Sequence, residues 1–138
     1  MTEGLRRASL ILRYFYANRY YQYSDAICLY SMIRHLRPKR IIEVGSGFSS
    51  AVMLDTNELF FSNAIVCTFI DPDPRRLSTL LRDADRDRIE IVARMVQDAD
   101  LALFDALEHG DILFVDSSHV AKTGSDVNHI LFTILPNR

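Results

Sequence analysis

A chain of 138 residues, 49% hydrophobic and 25% charged, is long enough to bury one core and too short for two full domains. Its composition is that of a globular protein rather than a disordered or fibrous one, and a formal net charge of -2 provides no basic footprint for nucleic acid. No apolar run is long enough to span a membrane, and residues 1–7 lack the features of a secretory leader, so a cytoplasmic protein without membrane partners is expected. Cys28 and Cys67 lie far apart in apolar stretches, which reads as two reduced, buried thiols rather than a disulfide or a metal pair.

Residues 5–23 combine Leu5, Ile11, Leu12 and Phe15 with Tyr14, Tyr16, Tyr20, Tyr21 and Tyr23. They predict a helix and a tyrosine-rich connection that either packs on a sheet or caps a site with aromatic contacts. Residues 1–23 are therefore set apart from the domain proper, 24–138. Ser24 or Asp25 can cap a helix carrying Ala26, Leu29, Tyr30, Ile33 and Leu36 at helical spacing, with Pro38 at its end. A strand over 40–44 leads into Gly45 and Gly47; Ser49 and Ser50 can then cap a helix that turns Val52, Met53, Leu54 and Leu59 inward and breaks at Asn63.

The apolar, β-branched run 64–70 predicts a strand covered on both faces and ends at Asp71. Asp73 as cap, Pro74 in the first turn and Leu77, Leu80, Leu81 and Ala84 at helical spacing predict another helix, and its charged tail, 83–88, reads as solvated. A short strand over 89–92 and a turn over 96–98 follow. Leu101, Phe104 and Leu107 then mark a helix capped by Asp98 or Asp100 and closed by Gly110. The fourth strand, 112–115, ends at Asp116, and a helix from about Ser125 carries Val127, Ile130, Leu131, Ile134 and Leu135. Strands alternating with helices imply right-handed crossovers and a parallel sheet.

The chain is organised around Glu43-Val44-Gly45-Ser46-Gly47, where a buried strand passes through a glycine turn into a helix N-terminus. Glycine admits backbone dihedrals closed to other residues, and the first N–H groups of the helix are free to donate to a ligand. A dinucleotide would place its pyrophosphate over this turn, beside Glu43, where each pair of like charges about 6 Å apart costs on the order of 3 kcal/mol. The third glycine of the dinucleotide fingerprint is also replaced, by Ser50. S-adenosylmethionine (SAM) shares ribose and adenine with NAD but carries an ammonium in place of the pyrophosphate, so these residues favour SAM.

Glu43 to Gly47 resembles the first motif, acidic-x-Gly-x-Gly, of class I SAM-dependent methyltransferases. Asp116-Ser117-Ser118-His119 and Lys122-Thr123-Gly124-Ser125-Asp126 resemble one subgroup, the methyltransferase-domain family 24, over about residues 24–136. The resemblance implies an α/β, Rossmann-like doubly wound parallel sheet in the order 3-2-1-4, truncated before the fifth strand. It also implies methylation of an oxygen on a small molecule or sugar. Fourth in that order, strand 112–115 would be an open apolar edge, so low stability or self-association into a homo-oligomer is expected. The alternatives are a fragment of an NAD(P)-dependent oxidoreductase or epimerase and a non-catalytic nucleotide-binding fragment.

Ligands in open parallel sheets bind at the carboxyl ends of the strands, and Glu43, Asp71 and Asp116 each end one. The expected cofactor-binding residues are Glu43, Gly45, Ser46, Gly47, Asp71 and Asp98. Asp71 accepts from the ribose hydroxyls, and Asp98, by the resemblance, accepts from the adenine amine. Asp116 and His119 are the expected catalytic pair, acting by general base or through Mg2+ or another divalent cation with Asp116 as a ligand. His35, His109 and His129 fall on helices or at a helix end, and Lys122 reads as solvated.

Overall fold

The computed structural model describes residues 13, 14 and 23–116. The expected helices over 5–23 and from Ser125, and with them His119, lie outside that range apart from Arg13, Tyr14 and the helical start at Tyr23. Helix α1, Tyr23–Leu36, precedes β1, Arg40–Val44, and α2, Phe48–Phe61, precedes β2, Val66–Ile70. Then come α3, Arg75–Leu80, β3, Glu90–Val92, α4, Ala102–Asp105, and β4, Ile112–Val115, with 3-10 turns at Asp83–Asp87 and Val96–Asp98.

All strand pairs are parallel and the order is β3-β2-β1-β4, as expected for this α/β, Rossmann-like fold. Successive residues of a strand face opposite sides of the sheet. Ile41 accordingly belongs to one buried cluster, with Leu29, Ile33, Met53, Phe69 and Leu77. Ile42 and Val44 belong to the other, with Ile70, Val96 and Phe104. Asp111 fixes the sheet's lower end: one carboxylate oxygen accepts from the N–H groups of Lys39 and Arg40, both at 3.0 Å, and the other from Glu108 N–H at 2.9 Å.

Helix α2 is buried at every residue from Ser49 to Asn57. Such a helix has no solvated face for polar side chains, so each must find a partner within the protein. Asn57 does so by donating to Ile65 O and accepting from Ile65 N–H, both at 3.0 Å, which pins the approach to β2. Thr56 donates to Val52 O at 2.7 Å. Ser62 and Asn63 stop the helix in the left-handed region, with φ of 53° and 61°.

Asp55 accepts from the backbone N–H groups of Arg13 and Tyr14 and from Arg13 Nη1 at 2.9 to 3.0 Å. The Arg13 guanidinium also donates to Glu58 at 2.9 Å and, in a two-pronged pair, to Asp85 at 2.6 and 2.8 Å. Burial tends to raise the Asp85 carboxyl, but the Arg13 bonds and the Arg82 N–H outweigh it and hold it below its ordinary value. At Asp55 burial dominates and the carboxyl is raised.

Asp85 departs from the reading of 83–88 as a solvated tail, which holds for the other five residues, all exposed. Asp85 is 3% exposed and belongs to the interior, because the chain bends at Leu81 and Arg82 and turns it toward Arg13. The helix expected through Ala84 therefore stops at Leu80, and Pro74 rather than Asp73 is its cap. Leu81 still packs on the core. Other differences are smaller. Leu59, Leu36 and Leu101 are exposed, Cys28 is exposed while Cys67 is buried, β2 begins at Val66, β3 begins at Glu90, and the helix over Leu101 to Leu107 contracts to one turn.

Arg13→Ala leaves Asp55 and Asp85 buried without their cation. Loss of one partner of a buried pair costs about 3–5 kcal/mol, so urea unfolding should show a drop of that size, whereas Arg75→Ala, in an exposed pair with Asp73, should leave the unfolding curve where it was.

Candidate ligand cleft at the strand ends

The register of the sheet brings the ends of β1, β2 and β4 level: Val44 stands beside Ile70 on one side and Val115 on the other. The ladder runs one residue further on each strand. Gly45 N–H donates to Ile70 O and Asp116 N–H to Val44 O, both at 2.8 Å, while Asp71 N–H donates to Val92 O at 3.0 Å. Asp71 and Asp116 thereby flank the glycine turn. A cleft of about 220 Å³ opens here, lined by Val44, Gly45, Ser46, Ile70, Asp71, Pro72, Met95, Val96, Gln97 and Asp116.

The turn needs its glycines. Gly45 has φ 101° and Gly47 φ 142°, values that L side chains rarely adopt, and a Cβ on Gly47 would stand 3.1 Å from Arg76 Cδ. Gly47 caps α2, and its N–H donates to Ser50 Oγ at 3.0 Å. The expectation that Ser49 and Ser50 cap the helix is met in part: Ser50 takes the Gly47 N–H, while both hydroxyls donate to the two carboxyl oxygens of Glu43.

Alternation along β1 explains where Glu43 goes. Two residues from Ile41, it faces the same side of the sheet, the side covered by α2, and is fully buried there. It does not line the cleft. Burial, together with the nearby Asp116 and Asp71 charges, pushes its pKa from 4.5 up to about 8 against the opposing effect of the serine bonds. When protonated, the carboxyl can return one of those bonds by donating to a serine oxygen, so both contacts survive. The same buried acid helps raise the Cys67 thiol to about 12, after burial itself.

Asp71 is half-buried at the cleft wall. Its Oδ2 accepts from Ser46 Oγ at 2.6 Å and its Oδ1 from Asp73 N–H at 2.9 Å. Asp116 is exposed, with Ser49 Oγ 3.5 Å from its Oδ2. Of the residues expected to bind a cofactor, Gly45, Ser46 and Asp71 line the cleft; Glu43 and Gly47 support it from behind, and Asp98 is exposed outside the lining. Neither Asp98 nor Asp100 is the cap of α4, which is Leu101; Asp100, just before it, accepts from Ala102 N–H at 3.0 Å. Sequence reasoning missed Pro72, Met95, Val96 and Gln97. Their signal is positional: they follow the ends of β2 and β3, where a parallel sheet exposes its ligand side.

Among the described residues no group of three or more His, Cys, Asp or Glu side chains could hold a metal, and no helix is long and apolar enough to cross a membrane. No protein-family model matches the chain. It is 37% identical over 103 residues to an uncharacterized protein of Archaeoglobus fulgidus, covering 72% of this chain and 44% of that one. It also resembles the solved structure "cmcI-D160 Mg-SAM", with a TM-score of 0.51 and 24% identity, over 79% of this chain and 47% of that one. The chain thus spans about half the length of the proteins it matches, and the structural likeness establishes a shared fold.

The raised Glu43 carboxyl sets a pH dependence. Between 4.5 and about 8 the folded protein keeps a proton that the unfolded chain gives up, so this contribution to stability is full below pH 4.5 and is lost as pH rises through about 8. In urea unfolding across that range, parent stability should decline relative to Glu43→Gln, whose side chain does not titrate. Parallel curves for the two proteins would contradict the assignment.

Proposed function

We propose that the chain is the cofactor-binding part of a SAM-dependent methyltransferase. The observation that carries this reading is the register of the sheet, which sets two strand-end acids, Asp71 and Asp116, on either side of a turn whose two glycines both have positive φ. The structural neighbour named with Mg and SAM supports it. The residues fit the cofactor. Asp71 would hold the ribose hydroxyls, the backbone at Gly45 and Ser46 would approach the amino-acid end, and Ile70, Pro72, Met95 and Val96 offer an apolar wall for the adenine. Glu43 would act from behind the turn. The cleft is smaller than the ~300–1,000 Å³ of complete small-molecule pockets, so these residues account for part of a site.

Bound SAM supplies an activated methyl group. What the protein must add is alignment of the acceptor and, for a hydroxyl, removal of its proton. We assign the acceptor side to Asp116, with His119 from the following segment, and take the acceptor to be a hydroxyl of a small molecule or sugar in keeping with the family 24 resemblance. A divalent cation at Asp116 would need further ligands from outside the described residues.

Titration calorimetry should show S-adenosylhomocysteine binding and no comparable heat with NAD. Asp71→Ala removes two bonds to a charged group and should cost roughly 2–4 kcal/mol of that affinity. Tight NAD binding, with none of S-adenosylhomocysteine, would instead favour an oxidoreductase. In a protein extended to the full length of the relatives, Asp116→Asn and His119→Ala should each lower methyl transfer at least about 100-fold with little change in cofactor affinity. Near-normal turnover in both would leave these residues a structural role only.

A further inference from the structure

The cleft contains a contact that the cofactor reading does not require. Ser46, between Gly45 and Gly47, sends its hydroxyl across the cleft to Asp71 Oδ2 at 2.6 Å, while Asp73 N–H holds Oδ1 at 2.9 Å. Ser46 and Asp71 are both half-buried, and both line the cleft. A carboxylate has about two acceptor sites on each oxygen, so after these two bonds about one site per oxygen is left. That pattern matches a vicinal diol, which offers two donors side by side. Without the Ser46 bond, Oδ2 loses its tether and the carboxylate is held by Oδ1 alone.

We propose that Ser46 is a positioning residue: its hydroxyl orients the Asp71 carboxylate to accept from the 2′ and 3′ hydroxyls of a ribonucleoside, and so sets the site's selectivity for ribose. The inference rests on the assignment of Asp71 as the ribose acceptor. Ser46 acts through Asp71, and its one proton is committed there. The tie also makes the glycine turn and the end of β2 a single unit, because Gly45 N–H already donates to Ile70 O at 2.8 Å. Any shift of the turn then moves the carboxylate with it.

The test compares S-adenosylhomocysteine with its analogue lacking both ribose hydroxyls, by titration calorimetry on the parent, Ser46→Ala, Ser46→Cys, Ser46→Thr and Asp71→Ala. Loss of the oriented, charge-assisted bond should weaken S-adenosylhomocysteine about tenfold in Ser46→Ala, and Ser46→Thr, which keeps the hydroxyl, should stay within about threefold of the parent. For the analogue the parent and Ser46→Ala should differ by less than about twofold, since no diol remains to be received. Ser46→Cys, close in shape but a weak donor, should repeat the diol-dependent loss and serves if the alanine variant does not fold. Unchanged or tighter binding in Ser46→Ala overturns the inference, because the hydroxyl would then be idle or in competition with the ribose. An equal loss for both ligands also overturns it, placing the effect on the turn itself. A parent that binds S-adenosylhomocysteine while Asp71→Ala binds as well removes the ribose assignment beneath it. A parent that binds neither ligand defeats the functional reading itself, and the inference with it.

Discussion

A helix buried along nine consecutive residues constrains everything around it. Helix α2 carries Ser49, Ser50, Asp55, Thr56 and Asn57 into the interior, and an unsatisfied buried polar group costs about 1–3 kcal/mol. Each is matched. At the N-terminal end the serines meet Glu43 of β1; at the middle, Asp55 meets Arg13 and Asn57 meets the backbone that enters β2. The helix is thereby fixed at both ends and along one side, and the sheet register that defines the cleft is fixed with it.

That arrangement separates support from recognition. Glu43 and Gly47 hold the turn in place without reaching the cleft, whereas Ser46 and Asp71 present themselves to it. The division follows from strand geometry, since a side chain on β1 must face one layer or the other, whereas Ser46, Asp71 and Asp116 lie beyond the strands proper. The charge that Glu43 adds to the site is correspondingly reduced. With a pKa near 8 it is mostly neutral at pH 7 and acts as a hydrogen-bonding group more than as an anion.

The parallel sheet and the placing of Gly45, Asp71 and Asp116 at one end were legible in the sequence because they depend on local pattern, apolar runs, glycines and strand-ending acids, whereas the 3-2-1-4 order followed from the family resemblance. Asp85 was not. A run of alternating charge usually marks a solvated surface, as the rest of 83–88 is, and only a partner 72 positions away, Arg13, draws this one side chain inside. Glu43 failed differently. Its presence was read correctly, but which face it takes follows from the alternation of β1 against α2, and its protonation from a burial that no single stretch of sequence specifies. Asp98 and Asp100 were equal candidates for one cap, and the helix starts later than either, with Leu101 in the cap position.

The burial of Glu43 also relocates the electrostatic argument for the ligand. Repulsion of a pyrophosphate cannot rest on a carboxyl that is largely neutral and outside the cleft. It passes to Asp116, which lines the cleft beside the turn, because Asp71 would receive a ribose in a dinucleotide site as well. At about 6 Å and an effective dielectric near 20, such a carboxylate would disfavour a phosphate charge by about 3 kcal/mol and favour an ammonium by as much. The discrimination first assigned to one buried acid therefore falls to one cleft acid. It holds for a ligand whose charged end is cationic or zwitterionic and whose ribose reaches Asp71, because a diol can occupy that carboxylate without adding negative charge beside Asp116.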